Sequence, residues 1–343
     1  MKSLDCTVII PLKDNPSRTI FTLQNSIFPE LEYIFADGSE SNENEVLFKN
    51  IHLENVRYVR FPPDANQVIF SKKMSDAAQF SKTKYTCTID QGDLLSLSGI
   101  KASIQCLDSD VGISAACGRI YAASRLGTYL SGLHRVNASE HLSGIASAEA
   151  IKKLKNRYGL LWYSIMRSKN FSEIHFNLFQ RSLIHPEREI FPTIFLLSRG
   201  IYAAHQSPQL LRISYSPRKW TKQDSDFHDP KALLDIKGKT SQFGELCYEI
   251  IGVDPHLVAD ISEPFFMTVF RQRQRQWLGP QFLARLMPNN EMVRKFPFLG
   301  SLEVYCEYFL KMIFPSKPSK MLFSLLRLHR LSNWEKIAER KGK

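Results

Sequence analysis

Thr7-Val8-Ile9-Ile10-Pro11-Leu12-Lys13-Asp14-Asn15-Pro16-Ser17-Arg18 sets the architecture of this chain. Thr7 to Pro11 is a short β-branched apolar run ended by proline, the mark of a buried strand entering a loop. Residues 17–27 then read as a helix, because Ser17 can cap it and Ile20, Leu23 and Ile27 recur at spacings of three and four. Leu31 to Ala36 is a second strand closed by Asp37-Gly38-Ser39, and Val56 to Phe61 a third closed by Pro62-Pro63. Strand, helix and strand in short order require a parallel crossover, so the expected class is α/β, a Rossmann-like, mostly parallel sheet flanked by helices.

Further on, Lys72 to Ser81 reads as a helix with Met74, Ala77, Ala78 and Phe80 available for its inner face. It leads into a fourth strand, Tyr85 to Ile89, that ends at Asp90-Gln91-Gly92-Asp93. A helix over 99–107 and a strand from Val111 to Ala116 follow, with Gly118 beyond. Residues 120–180 mix Gly, Ser and aromatic residues around a helix-like stretch near 147–157. Glu189 to Leu197 is apolar after its acidic start, Gly200 is a plausible helix stop, and Leu210 to Ser214 is another strand. From Pro230 the pattern is helical, which places a boundary near 230: residues 1–230 as the nucleotide-binding and catalytic domain, 231–343 as a helical, basic extension.

Hydrophobic residues make up 43% and charged residues 23%, as in ordinary globular proteins and unlike disordered or collagen-like chains. The six cysteines show no CxxC pair or zinc spacing, which fits a reducing, cytoplasmic setting, and the N-terminal residues lack the apolar core of a signal peptide. Phe298 to Pro315 is apolar but carries Glu303, Glu307 and Lys311 on one helical face, the pattern of a surface helix rather than a span. Charge is uneven. Residues 271–343 hold 15 Lys and Arg against 5 Asp and Glu, leaving 30 against 29 in residues 1–270. Within 317–343, Met321, Leu322, Leu325, Leu326, Leu328 and Leu331 alternate with Lys320, Arg327, His329 and Arg330. Such a helix lies on an anionic membrane surface, or docks on the protein through the same stripe. Nucleic acid is not an expected partner, because the tail shows no recognition motif.

In open parallel sheets ligands bind at the carboxyl ends of strands, where Asp37 and the Asp90/Asp93 pair both fall. One carboxylate can accept hydrogen bonds from a base or ribose, and another can hold Mg²⁺ or Mn²⁺ against a diphosphate, since hard cations prefer carboxylate oxygen. Aspartate-glycine pairs after strands are also ordinary turns. His134, His141, His175 and His185 lack metal-ligand spacing, and Ser-centred hydrolase and Walker patterns are absent. Tyr158, Trp162, Tyr163 and Phe171 read as core or as a stacking platform for a sugar.

The order of three segments is more specific. Residues 7–18, then Tyr33-Ile34-Phe35-Ala36-Asp37-Gly38-Ser39, then Tyr85-Thr86-Cys87-Thr88-Ile89-Asp90-Gln91-Gly92-Asp93, together resemble the inverting family 2 glycosyltransferases of GT-A fold. Members carry a strand ending in Pro, one ending in Asp-x-Ser and one ending in the DxD metal motif. The resemblance covers residues 5–120 well and 120–220 loosely. It implies that Pro11, Leu12, Lys13, Asp37 and Ser39 line a nucleotide-sugar pocket, that Asp90 faces the diphosphate, and that Asp93 ligates a divalent cation. It also implies an acidic general base ahead of a glycine-bounded strand, a place matched by Glu189, with Glu187 the neighbouring alternative. The acceptor implied is a glycan or a lipid-linked precursor. One departure is Gly92, which stands where the family's metal-ligating carboxylate is usual. Either Asp93 takes over that role, or basic groups such as Lys72, Lys73 or Arg167 offset the diphosphate, or the chain is a catalytically silent nucleotide- or partner-binding module.

Overall fold

The computed structural model describes residues 3–126, 129–136, 142–143, 161–214, 235–267, 329–330 and 334–336. The parallel centre is β1 (Cys6–Leu12), flanked by β2 (Glu32–Asp37) and β4 (Tyr85–Thr88), with β3 (Val56–Arg60) beyond β2. Val8, Ile9, Ile10 and Leu12 are all fully buried, as expected of a strand covered on both faces by helices. Past β4 the sheet continues through antiparallel ladders to β9 (Ile165–Arg167), β6 (Ile113–Leu126) and β7 (Tyr129–Arg135). The short strands β5 (Leu94–Leu95) and β8 (Leu142–Ser143) both pair with β10 (Ile201–Ser214), which runs parallel to β6. The fold is therefore a mixed α/β sheet whose parallel centre is β3-β2-β1-β4, with a second parallel pair, β6 and β10, beyond the antiparallel β9.

Helix α1 (Pro16–Asn25) is capped by Asn15, whose side chain accepts from Arg18 N–H; Ser17, the expected cap, lies inside the first turn. Asn66 likewise caps α3 (Gln67–Ala78), which starts five residues before the apolar periodicity becomes visible. Two helices were not anticipated: α2 (Glu43–Lys49), two turns long with only Phe48 and Asn44 buried, carries too little pattern to be read from sequence, whereas α5 (Ser168–Gln180) buries Phe171, Ile174, His175 and Leu178 at helical spacing. Helix α4 (Leu97–Ser109) packs on β6 and β10, and α3, α5, α6 (Glu187–Arg199) and α7 (Ile236–Ile251) pack in succession.

Strands β6 and β10 are far longer than their apolar runs. A bulge around Pro208 absorbs the polar stretch His205-Gln206-Ser207, and Gly118 opposite makes it possible, since a Cβ there would stand 2.3 Å from Ser207 O. Gly200, with φ 154°, turns α6 into β10. After α7, Gly252 in the left-handed conformation closes the helix, and residues 255–267 are helical again. No helix among the described residues is long and apolar enough to cross a membrane.

Most of the basic tail, including the leucine stripe up to Leu328, lies outside the described residues, as does the helix-like stretch near 147–157. His329 and Arg330, which the stripe assigned to a helix, form β11 (His329–Arg330) on the edge of β7. Trp334 is buried in a small cluster with Phe21, Leu94, Tyr121, Leu130 and Leu211. For His329, Arg330 and Trp334, packing on the sheet is the observed state.

Candidate active site at the carboxyl ends of the central strands

Because β1, β2, β3 and β4 run parallel, their carboxyl ends and the loops after them share one edge. A hydrogen-bonded chain ties these loops together. Ser39 Oγ accepts from Asn44 Nδ2 at 3.0 Å, Asn44 Oδ1 accepts from Thr19 Oγ1 at 2.8 Å, and Thr19 Oγ1 accepts from Gln91 Nε2 at 2.8 Å. Gln91 Oε1 in turn accepts from the Lys13 amide at 3.3 Å. Asn44 and Thr19 are fully buried and Gln91 nearly so, so the loops after β1, β2 and β4 are held as one body. Gly92 has φ 95°, a conformation L side chains rarely adopt, and its N–H meets Thr22 Oγ1 at 2.9 Å. The absence of a carboxylate at this position thus has a backbone cause.

Asp37 is fully buried at the end of β2. Its Oδ1 accepts from the Ser39 amide at 2.8 Å and from Ser39 Oγ; its Oδ2 accepts from Tyr58 Oη at 2.6 Å and Arg60 Nη1 at 2.8 Å. Four donors occupy both carboxylate oxygens, so Asp37 acts as a node that sets Ser39 and Arg60. Arg60 also donates to Ser39 O at 2.7 Å, and its side chain is 30% exposed. Phe48 of α2 stacks on Tyr58 with ring centroids 4.7 Å apart, which explains what that short helix contributes.

Beside this node lies a buried ion pair. Lys73 Nζ reaches Asp64 Oδ2 at 2.5 Å and Leu12 O at 3.2 Å, and Lys13 Nζ donates to Asp64 O at 2.8 Å. Burial pushes the Asp64 carboxyl up and the Lys73 amine down, with their mutual attraction opposing both. Gly38 admits this pair, since a Cβ there would stand 2.4 Å from Asp64 Oδ1. The Pro11 and Leu12 side chains stay in β1, so Lys13 is the member of that trio whose side chain extends into the loop region. Of the basic groups expected to offset a diphosphate, Lys73 is buried in this pair and Lys72 is bound to Asp76 at 2.6 Å. Arg167 donates to Leu107, Asp110 and Val111 carbonyls at the opposite edge of the sheet. Arg167 is excluded from the site because β9 runs antiparallel to β4.

The second carboxylate cluster joins three segments, the loop after β4, the turn Leu161–Tyr163 and β10. Asp90 Oδ2 accepts from Tyr163 Oη at 2.9 Å and lies 3.4 Å from Arg212 Nη2. Asp93 Oδ1 accepts from the Ile213 amide at 3.0 Å, and its Oδ2 faces Arg212 Nε at 3.9 Å. The guanidinium also lies over the Tyr163 ring, 4.8 Å from its centroid. Burial, reinforced by Asp90, pushes the Asp93 carboxyl well above the usual range, against the pull of Arg212, the Ile213 amide and Arg18. Arg212 carried a faint sequence signal, a lone cation between Leu211 and Ile213 in an apolar strand; only β10's place across the sheet brings it here. As a divalent-cation site this donor set fits poorly. Asp90 and Asp93 are its only carboxylates, a guanidinium already stands between them, and among the described residues no cluster of three or more His, Cys, Asp or Glu assembles.

Glu189 and Glu187 stand on the first turn of α6, at the same edge of the sheet. Arg188, between them, lies over Phe70 and over Trp162, the neighbour of Tyr163, which joins this turn to the Asp90 cluster. The Glu189 side chain is 52% exposed, with Oε1 3.2 Å from His185 Nδ1. Glu187 turns inward, its Oε2 buried without a hydrogen-bond partner, and burial raises its pKa. Of the expected aromatic platform, Phe171 is core and Tyr163 belongs to the carboxylate cluster, while Tyr158 lies outside the described residues.

No protein-family profile and no curated protein matches the chain by sequence. Solved structures do match. Residues 1–349 of S. aureus TarS superpose with a TM-score of 0.50 at 12% identity, over 85% of this chain and 82% of that one. The same region of TarS in complex with UDP-GlcNAc gives a TM-score of 0.51 at 12% identity, over 82% and 79%. The strand order, the parallel centre and this likeness together give the chain the GT-A-type glycosyltransferase fold.

Proposed function

We propose that the chain is a glycosyltransferase that moves a sugar from a nucleotide-sugar donor to a hydroxyl of a glycan or lipid-linked acceptor, with inversion at the anomeric carbon. The observation that carries this reading is the convergence of Lys13, Ser39, Arg60, Asp90 and Arg212 at the carboxyl edge of the parallel strands, in a fold whose TarS counterpart has been solved with UDP-GlcNAc bound. The loops after β1 and β2 would hold the nucleotide, with Asp37 keeping Ser39 and Arg60 in place. Glu189, exposed at the same edge, would take the proton of the acceptor hydroxyl as its oxygen attacks the anomeric carbon. The bond to the nucleoside diphosphate breaks on the opposite face, and the departing charge meets Arg212.

A pathway in surface polysaccharide synthesis at the cytoplasmic membrane face agrees with the basic composition of residues 317–343. A second reading, a nucleotide- or partner-binding module without turnover, is favoured by Gly92, which stands where a metal-ligating carboxylate is usual. One experiment separates them. UDP-, GDP-, CMP- and dTDP-sugars are screened by thermal shift, and the best binder is assayed for release of free nucleotide with candidate acceptors. Binding with turnover supports the enzyme, binding alone supports the second reading, and absence of binding refutes both.

A further inference from the structure

The centre of the Asp90/Asp93 pair is occupied by protein. Arg212 Nη2 and Nε stand 3.4 and 3.9 Å from the two carboxylates, and the flat face of the guanidinium is held against Tyr163. Leu211 and Ile213 on either side of Arg212 are buried, which fixes the strand, while the arginine side chain itself remains 40% exposed. A cation pinned on one side by carboxylates and open on the other is oriented toward whatever enters the edge of the sheet. A divalent cation entering between Asp90 and Asp93 would have to displace this guanidinium or sit beside its positive charge. Gly92 contributes no side-chain ligand, and its φ of 95° is one that L side chains rarely adopt.

We propose that Arg212 takes the role of the divalent cation at this site, binding the diphosphate of the donor, so that nucleotide binding by this protein is independent of metal. The inference rests on the proposed nucleotide-sugar reading. A guanidinium suits the task, because its planar donors can engage two phosphate oxygens while Asp90 and Asp93 hold its other edge.

Titration calorimetry with UDP, GDP, CDP and dTDP, in EDTA and in Mn²⁺, tests it on the whole chain. The wild type is expected to bind one of the four in EDTA with an affinity that Mn²⁺ changes by less than about threefold. R212A is expected to bind roughly 10- to 100-fold more weakly in EDTA, the span of a lost hydrogen bond to a charged group. Mn²⁺ should then restore part of that loss in R212A alone, since removing the guanidinium leaves Asp90 and Asp93 without the cation they share. R212K should fall between wild type and R212A and stay insensitive to Mn²⁺, and thermal melts check that each variant is folded. Should R212A fail to fold, the wild-type metal arms and R212K decide. Wild-type binding that requires Mn²⁺, or R212A binding like wild type, overturns the inference and leaves the nucleotide-sugar reading standing. No binding of any nucleotide in either arm overturns both.

Discussion

Asp37→Asn keeps the shape of the side chain and removes its charge, so it isolates what the carboxylate does at the end of β2. In the wild type four donors converge on two oxygens: Ser39 N–H, Ser39 Oγ, Tyr58 Oη and Arg60 Nη1. An amide in that place must turn its own N–H₂ toward one pair of donors, and it leaves Arg60 without its carboxylate. Breaking a buried ion pair by removing one partner costs about 3–5 kcal/mol. Arg60 is 30% exposed, so water recovers part of its charge and the low end, about 3 kcal/mol, applies. With an unfolding entropy of roughly 2.1 cal/mol/K per residue, 343 residues melting as one unit give about 0.7 kcal/mol/K. The expected drop in Tm is therefore about 4 °C. Tyr58→Phe, which removes one donor of four, should lower Tm by only about 1–2 °C, from a single hydrogen bond of about 1 kcal/mol. Differential scanning calorimetry at neutral pH reads both. An Asp37→Asn melt within 1 °C of wild type, or a Tyr58→Phe loss as large as that of Asp37→Asn, would refute the view of Asp37 as the structural node of this edge.

Glu189→Gln should preserve donor affinity and reduce turnover by roughly 10² to 10⁴, as losing a general base does; if Glu187→Gln is the damaging change instead, the inward-facing carboxylate is the base. Gly92→Asp restores a carboxylate at the departing position of the Asp-rich motif but forces it to φ 95°, so the urea midpoint should fall by the equivalent of about 1–3 kcal/mol. An unchanged midpoint would show that the loop relaxes freely. His175, buried between Trp162 and Phe171, has its pKa pushed down to about 3 by burial and, to a smaller extent, by Arg188. Between its unfolded value near 6.5 and about 3 the unfolded chain binds a proton that the folded one does not. Stability should therefore fall as pH drops below about 6.5, by up to about 1.4 kcal/mol per pH unit from this group. Comparing melts of wild type and His175→Phe from pH 7.5 to pH 5 measures it, and identical slopes would dismiss the assignment.

Local pattern alone determined the parallel centre of this protein. The run Thr7 to Pro11 is itself a buried strand, and the Asp37-Gly38-Ser39 and Asp90-Gln91-Gly92-Asp93 turns each close a short strand rich in β-branched and aromatic residues. Their common direction then places the loops at one edge, which is why candidate site residues were legible without coordinates. What each residue does there was not legible, because that depends on partners distant in the chain. Asp37 looked like a ligand until Tyr58 and Arg60 of the next strand were seen to fill its oxygens. Lys73 looked like a free cation until Asp64 was seen beside it, and Arg167 until β9 was seen to run the other way. The long strands β6 and β10 were hidden by a bulge that only a facing glycine accommodates, and the C-terminal strand by its two-residue length. Arg212, 119 residues beyond Asp93 in sequence, reaches the carboxylates solely because β10 lies beside β5 and β6, and such a cross-sheet meeting leaves no periodic trace in the chain.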